Sequence, residues 1–161
     1  MFHMRFTVAG LLAASVGSLA MALFFEHRLG LAPCVLCYYQ RGLFFLLMLT
    51  SLTALLCFEK LSRRAHLTLT MGPLGAIFSL STYQSLIERH ILDLPQACRG
   101  SLSQWSSVDQ LREQMLKKPL PACDVVQWQV FGLSLSDLAV IFAVGAGIWV
   151  WLSYQRMHHA Q

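Results

Sequence analysis

The sequence predicts an all-α membrane protein built as a four-helix transmembrane bundle. Of its 161 residues, 56% are hydrophobic and only 12% are charged, whereas soluble domains carry about 25% charged residues. Four apolar stretches approach membrane-spanning length. The basic residues occur in short connections and form no dense face, which argues against nucleic-acid binding. The length allows one compact domain, without a separate soluble enzyme.

The predicted spans follow from the length of the apolar stretches. A helix needs about 20 mostly apolar residues to cross the hydrocarbon core of a membrane. In chain order, the candidate spans cover about residues 6–25, 38–58, 67–87 and 138–154. The third contains Gly72 and Pro73, which a membrane helix tolerates when neighbouring groups satisfy its backbone. Because the number of spans is even, both termini are predicted to lie on the same side.

The distribution of basic residues predicts the orientation of the bundle. The connection 59–66 contains three basic residues within eight positions. A raw count favours the opposite orientation, with five Lys or Arg on the side of this connection and seven on the other. Short loops dominate orientation, however, because long loops are translocated largely regardless of charge. We therefore expect both termini and residues 59–66 in the cytoplasm, with loops 26–37 and 88–137 on the opposite side.

The first span also allows an interpretation as a cleaved secretory signal. Arg5, the apolar stretch and Ala20-Met21-Ala22 resemble such a signal with its small-residue cleavage site. The apolar run continues to Phe25 and reaches full span length, which favours a retained membrane helix. Detection of an intact N-terminus on the mature protein would decide between the two.

The loop between the third and fourth spans is longer than a simple connector needs. Ser107 and Gln110 form a predicted capping box, and Val108, Leu111 and Met115 share one face of the helix that follows. This pattern predicts a short helix lying on the membrane surface. A helix packed against its own loop fits the pattern equally well.

A Cys-x-x-Cys motif, Cys34 to Cys37, stands just before the second span. Two cysteines at this spacing can form a disulfide, and the dipole at a helix N-terminus favours a thiolate. Arg41 follows Cys37 by four residues and shares its helical face. Since a guanidinium at the lipid boundary is costly without a partner or role, Arg41 is a candidate to stabilise a thiolate or polarise the carbonyl oxygen of a ligand. The alternative is an interfacial anchor whose charge reaches the headgroups.

A second pair of cysteines, Cys98 and Cys123, encloses 24 residues of the long loop. A structural disulfide here would stabilise the fold by about 3 kcal/mol through chain entropy. An exchangeable disulfide fits as well, and the polar surroundings of Cys98 favour the access that thiol exchange requires. Zinc is disfavoured, because structural zinc sites usually present two short cysteine knuckles and the chain has one. We predict no metal site.

Cys57 and the histidines carry weaker signals. Cys57 lies within an apolar run without a nearby thiol, so core packing is its expected role. Haem ligation is not expected, because no histidine lies deep within an apolar run. His90, at the outer end of the third span, is a candidate to hydrogen-bond a ligand held at the interface. A plain interfacial residue is an equally good interpretation.

Together these motifs resemble the DsbB family of bacterial disulfide-generating membrane proteins over nearly the whole chain. The most specific element is the Cys-x-Leu-Cys-x-x-Gln-Arg string within Pro33–Arg41. Further matching elements are Glu88-Arg89-His90, Cys98, Cys123, Gln127-Trp128 and Phe131-Gly132-Leu133-Ser134. Ser136-Asp137 departs from the bulky polar or proline-containing start that is usual for the last helix of the family. This departure puts no catalytic residue in doubt.

The resemblance implies a protein-dithiol oxidoreductase of the bacterial inner membrane, with loops 26–37 and 88–137 in the periplasm. Cys98 would form a mixed disulfide with a DsbA-like periplasmic thiol oxidant. Cys123 would then exchange with Cys34.

The resemblance also implies a cofactor, ubiquinone or menaquinone. Cys37 would contact this quinone, and Arg41 and His90 would hold it. A DsbA-type dithiol has a reduction potential of about −120 mV, so its re-oxidation needs a stronger acceptor than glutathione. A membrane quinone meets that need.

Two other interpretations are open. A vitamin K epoxide reductase-like quinone enzyme also joins a Cys-x-x-Cys motif to a four-helix bundle, but its motif lies late in the bundle, so chain order disfavours it. A membrane adaptor with two structural disulfides would not turn over. Counting free thiols after incubation with a reduced dithiol protein and quinone distinguishes the adaptor from an enzyme.

Overall fold

Four long helices dominate the fold. The computed structural model describes residues 2–95, 98, 122–126 and 128–159. Its helices are α1 (Phe2–Leu29), α2 (Val35–Leu56), α3 (Arg63–Glu88) and α4 (Leu135–His159). A short antiparallel hairpin, formed by β1 (Gln129–Val130) and β2 (Leu133–Ser134), leads directly into α4. The predicted surface helix at 107–117 lies outside the described residues.

The helices pack as a closed four-membered bundle. Helix α1 contacts α2, α2 contacts α3, α3 contacts α4, and α4 returns to α1. Leu47 and Ile77 are fully buried at the centre, and α4 turns Ala139, Ala143 and Ala146 toward them. Small residues let membrane helices approach closely. The predicted four-helix bundle is confirmed.

Large apolar side chains cover the outside of the bundle. On α4, Ile141, Ile148 and Leu152 are each at least half exposed. A contiguous apolar surface of this kind is unusual on a soluble monomer. Lipid tails are as apolar as these side chains, so the outer surface is suited to the membrane interior.

Among the described residues, three helices are long and apolar enough to cross a membrane: α1 from Met4, all of α2, and α4 as far as Arg156. Helix α3 contains the predicted third span, 67–87, but is less apolar. Its buried face includes Thr70, Ser81 and Gln84. Ser81 and Gln84 face α2, where Gln40 and Cys37 are their hydrogen-bond partners.

The helix bounds differ from the predicted spans at most ends. Helices α1, α3 and α4 extend beyond the apolar stretches on both sides, because intrahelical hydrogen bonds continue through the polar flanking residues. Helix α2 begins at Val35, where Cys34 caps it, and ends at Leu56, two residues before the predicted end. Cys57 forms its half-buried C-cap.

Both chain ends lie at one end of the bundle. Thr7 near the start of α1 and Ser153 near the end of α4 are joined by a buried hydrogen bond of 2.9 Å. Phe58, beside the α2–α3 connection, packs at the same end with Met4 and Val8. The cysteines of both pairs and the hairpin lie at the opposite end, which we call the cysteine end.

Candidate functional site

The Cys-x-x-Cys motif forms the start of α2. Cys34 is the N-cap, and its sulfur accepts a hydrogen bond from the backbone N–H of Cys37 at 3.3 Å. The two sulfurs lie 2.7 Å apart. Pro33 precedes the cap. Because proline has no backbone N–H and its ring clashes with a preceding helical turn, it disfavours extension of α2 toward the N-terminus. The local sequence thus brings both sulfurs together. The hydrogen bond with Cys37, and then burial, raises the pKa of the Cys34 thiol.

The second pair of cysteines joins the first in one buried cluster. Cys123 donates its backbone N–H to the carbonyl of Cys98 at 3.1 Å, which brings the distant ends of the long loop together. Cys34, Cys98 and Cys123 are all buried, and Cys37 packs against them. Residues separated by almost 90 positions therefore share one site. Such an arrangement can pass a disulfide from one pair to the other by thiol–disulfide exchange.

The surroundings of Cys98 correct one expectation. Its polar sequence neighbours suggested an accessible sulfur, but the residue is only 2% exposed. Burial, reinforced by a hydrogen bond with Cys123, raises the pKa of the Cys98 thiol to about 12. The packing of the cysteine cluster, which flanking residues do not reveal, is the reason for the difference.

A cavity of about 510 Å³ opens beside the Cys-x-x-Cys motif. Cys34, Cys37 and Cys123 line it, together with side chains from α1, α2, α3, α4 and the hairpin. Most of the other lining residues are apolar, including Leu19, Phe25, Phe44, Trp128 and Phe142. Phe25 and Trp128 contact each other with ring centroids 4.8 Å apart. The cavity has the size and character of a site for a small apolar ligand.

Arg41 lines this cavity and is held by α1. Its guanidinium forms an ion pair with Glu26 and donates a second hydrogen bond to the carbonyl of Ala22 at 3.2 Å. The group also lies 5.7 Å from the ring centre of Tyr38. Arg41 is therefore not a free interfacial anchor. Glu26 was missed by the sequence interpretation, although a carboxylate at the end of an apolar span is itself a signal of a partner.

Gln84 and Glu88 of α3 also border the sulfurs and were not predicted as site residues. Gln84 Nε2 lies 3.6 Å from Cys37 Sγ and 3.0 Å from Glu88 Oε1. Both residues line the cavity. Their spacing from Ser81, three and then four residues, marks a polar stripe on one face of an otherwise apolar helix. That stripe was the available sequence signal.

His90 lies apart from the cavity. It follows the C-cap of α3, has a left-handed φ of 56°, and is exposed to solvent. It is not among the residues that line the cavity. Within the part of the chain that the structure describes, no group of three or more His, Cys, Asp or Glu has a geometry suited to a metal ion.

Several known proteins are similar to this chain in sequence. The family model described as "Disulfide bond formation protein DsbB" matches residues 4–153. Disulfide bond formation protein B of Aeromonas hydrophila is 32% identical over 139 residues, which cover 83% of this chain and 79% of the relative. The protein of that name from Shewanella loihica is 31% identical over 137 residues, covering 81% and 77% of the two chains. The one from Pasteurella multocida is 29% identical over 128 residues, covering 78% and 71%. With a family match across nearly all of its helices and the cysteine pairs between them, the chain belongs to the DsbB family of disulfide bond formation proteins.

Proposed function

We propose that this membrane oxidoreductase re-oxidises a DsbA-like periplasmic dithiol protein and passes the electrons to a membrane quinone. The observation that carries the proposal is the meeting of both cysteine pairs in one buried cluster beside an apolar cavity. A purely structural disulfide needs no second pair at its side and no adjoining cavity. A relay needs both.

The first exchange oxidises the partner. A thiolate of the partner attacks Cys98 of the Cys98–Cys123 disulfide, which forms a mixed disulfide and leaves the Cys123 thiolate. The partner's second thiolate then attacks its own mixed disulfide, so the partner leaves with a disulfide and Cys98 is reduced. Because Cys98 is buried in the cluster, this step requires the groups that cover its sulfur to move aside.

The second exchange transfers the two electrons to the Cys-x-x-Cys motif. The Cys123 thiolate attacks Cys34 of the Cys34–Cys37 disulfide, and the electron pair of the broken bond stays on Cys37. Cys98 then attacks Cys123, which restores the loop disulfide and releases Cys34. The Cys34–Cys37 dithiol now carries two electrons and two protons. Its packing against Cys98 and Cys123 supports the direct exchange.

The cavity residues fit a quinone. A quinone is a largely apolar molecule that, when bound, would accept two electrons and two protons. Apolar side chains line most of the cavity, and Cys37 lies on the same wall as Arg41. A guanidinium has five N–H donors, so Arg41 can serve Glu26 and Ala22 and still donate to a carbonyl oxygen. The exposed His90 is not a cavity-lining residue. We therefore assign the polar contacts with the quinone to Arg41 before His90.

The proposed location is the bacterial inner membrane, with both termini in the cytoplasm and the cysteine end in the periplasm. In support, the end of the bundle with the termini contains Arg5, Arg63 and Arg64 in short segments, as cytoplasmic loops do. Membrane-impermeant maleimide applied to intact spheroplasts tests the orientation. Labelling of a cysteine introduced at Ser62, and not of one introduced at Phe131, would contradict it.

The proposed activity is tested with the purified protein, a reduced DsbA-type protein and a short-chain ubiquinone or menaquinone analogue. We expect a fall in quinone absorbance that matches the partner's disulfide formation one for one. Cys37→Ser abolishes quinone reduction, while Cys98→Ser blocks oxidation of the partner and leaves quinone reduction by a small dithiol intact. Quinone reduction by Cys37→Ser, or normal oxidation of the partner by Cys98→Ser, contradicts the assignment. Absence of partner and quinone consumption by the unaltered protein would instead support an adaptor with structural disulfides.

A further inference from the structure

A chain of hydrogen bonds leads from the start of α4 to α3. The backbone N–H of Asp137 donates to Ser134 Oγ at 3.3 Å, and Ser134 Oγ lies 2.6 Å from Ser136 Oγ. Ser136 Oγ donates to Glu88 Oε2, also at 2.6 Å. Because the single hydroxyl proton of Ser136 points to Glu88, Ser134 is the donor to Ser136. The whole chain therefore donates in one direction, toward the carboxylate.

Gln84 connects that carboxylate to the reactive sulfur. Its Nε2 donates to Glu88 Oε1 at 3.0 Å and to Cys37 Sγ at 3.6 Å, while Cys34 Sγ is more distant at 4.0 Å. A primary amide has two N–H donors, so one can serve the carboxylate while the other serves the sulfur. The residue is only 4% exposed, so its amide lies away from bulk water.

Glu88 determines which way the amide faces. Turned over, the amide would place Gln84 Oε1 against a carboxylate oxygen, and two acceptors repel. In the observed orientation Oε1 is buried and, within the described residues, has no hydrogen-bond partner. Leaving a buried acceptor unsatisfied is costly. The amide keeps this orientation because its N–H groups face the carboxylate and the sulfur.

We propose that Gln84 is a catalytic residue that stabilises the Cys37 thiolate by donating a hydrogen bond to its sulfur, and that Glu88 and Ser136 are positioning residues that act through the Gln84 amide. The inference rests on the proposed function, in which cleavage of the Cys34–Cys37 disulfide leaves an electron pair on Cys37. A donor aimed at that sulfur favours the charged form. Hydrogen bonds to an ionised acceptor are stronger than those to a neutral one, so Gln84 assists the step in which the charge develops.

Besides the uncharged amide of Gln84, several charged or titratable groups lie near Cys37. They are Arg41 with its ion-pair partner Glu26, and Glu88, Cys34, Cys98 and Cys123. Replacing Glu88 would change the local charge and the amide orientation at once, with opposite effects on a thiolate. Gln84 and Ser136 are uncharged, so their replacement isolates the hydrogen bond.

The test measures the pH dependence of Cys37 alkylation by iodoacetamide. The full-length protein carries Cys37 as its only thiol, with Ser at the other four cysteines, in lipid nanodiscs. We expect Gln84→Leu to move the midpoint of the pH–rate profile upward by about one pH unit, the size of one lost hydrogen bond. Gln84→Met keeps a similar volume, has no N–H donor and adds no charge, so it should move the midpoint about as far.

Gln40 provides the matched control. It lines the same cavity but donates to Ser81 Oγ at 2.7 Å rather than to a sulfur. Gln40→Leu should leave the alkylation midpoint in place. Ser136→Ala should raise the midpoint by a smaller amount and add nothing in the Gln84→Leu background, since it acts through that amide. A role in folding alone would not produce this loss of additivity.

Two results overturn the inference: an unchanged midpoint in both Gln84 variants that retain the native far-UV circular dichroism, or an equal shift in Gln40→Leu. The measurement needs neither quinone nor partner. If the unaltered protein fails to reduce quinone while the Gln84 variants still shift the midpoint, the proposed function fails and the role of Gln84 stands. If quinone reduction is normal and the midpoint does not move, only the role of Gln84 fails.

Discussion

Glu26 of α1 forms an ion pair with Arg41 of α2 at the cysteine end of the bundle. The two side chains are 29% and 21% exposed, so the pair is largely shielded from water. It joins two helices and fixes a cation at the wall of the cavity that Cys37 lines. Its position makes the pair part of both the fold and the proposed quinone site.

Replacing Glu26 by Gln should weaken both the stability of the fold and the binding of quinone. The variant keeps the side-chain volume but removes the charge that holds the guanidinium, and breaking a shielded pair costs about 1–3 kcal/mol. We expect a melting temperature lower by several degrees and an apparent KM for a short-chain quinone raised several-fold, with little change in the KM for the dithiol protein. Thermal unfolding and steady-state kinetics measure these effects.

The control is Glu59→Gln at the opposite end. Glu59 pairs with Arg5 at 3.0 Å, but the two side chains are 81% and 51% exposed. Exposed pairs contribute little, so this variant should match the unaltered protein in both assays. Equal loss in the two variants would show that overall charge, and not the Glu26–Arg41 contact, sets the result.

The cysteine cluster predicts a specific trapped disulfide. With Cys37→Ser and Cys98→Ser together, Cys34 and Cys123 have lost their usual partners and remain in the same buried cluster. We expect them to form a Cys34–Cys123 disulfide in high yield under air oxidation, detected by peptide mass spectrometry. Cys57 caps the far end of α2 and serves as the internal control, because it should remain reduced. Pairing of Cys57, or free thiols at both positions, would contradict the relay geometry.

The protonation of Cys98 predicts a pH dependence. Its pKa, raised to about 12 chiefly by burial, means that the folded reduced protein holds the proton where an unfolded cysteine has lost it. Alkylation of Cys98 should therefore be slow near neutral pH and rise about tenfold per pH unit, up to the raised pKa. By linkage, the reduced protein should lose stability as pH rises from about 9 toward 12, since only the unfolded state releases this proton there.

A variant in which Cys98 is the single cysteine would remove Cys123 and its hydrogen bond, so the measurement uses the fully reduced protein and peptide mapping. Urea-unfolded protein provides the reference profile. A midpoint for Cys98 that is the same in folded and unfolded protein would contradict its burial in the reduced state.

Asp137 predicts a stability effect at the junction of α3 and α4. Its carboxylate accepts hydrogen bonds from Arg89 Nη2 and the backbone N–H of Ser134, both at 3.1 Å, and from the hydroxyl of Ser85. Asp137→Asn removes the charge from this set, and we expect a loss of about 1–3 kcal/mol. Thermal unfolding in detergent measures it, with Asp93→Asn at an exposed position as the control. An unchanged melting temperature for Asp137→Asn would show that these contacts contribute nothing net.

The departure at Ser136-Asp137 from the usual family sequence gains a physical account from these contacts. Asp137 ties the start of α4 to α3, and Ser136 reaches the carboxylate of Glu88. In the sequence, Ser136-Asp137 was visible only as a difference from the usual family pattern. The structure shows that it forms hydrogen bonds beside the site.

By itself, the sequence determined that the chain forms an apolar helical bundle with two cysteine pairs on one side. Composition, the length of the apolar stretches and the spacing from Cys34 to Arg41 are properties of the sequence that need no tertiary structure to be recognised. Helix ends were less predictable, because polar flanking residues continue the helical hydrogen bonds. The weaker apolarity of α3 was visible in the sequence, but not that its polar stripe faces inward.

Only the tertiary structure decided which side chains meet. The pairing of Glu26 with Arg41, the burial of Cys98, the exposure of His90 outside the cavity lining, and the contact of Gln84 with Cys37 each join or separate residues on different elements. The physical reason is that hydropathy reports a residue's preference for lipid or water, whereas contacts depend on helix rotation and crossing, which packing of the whole bundle sets.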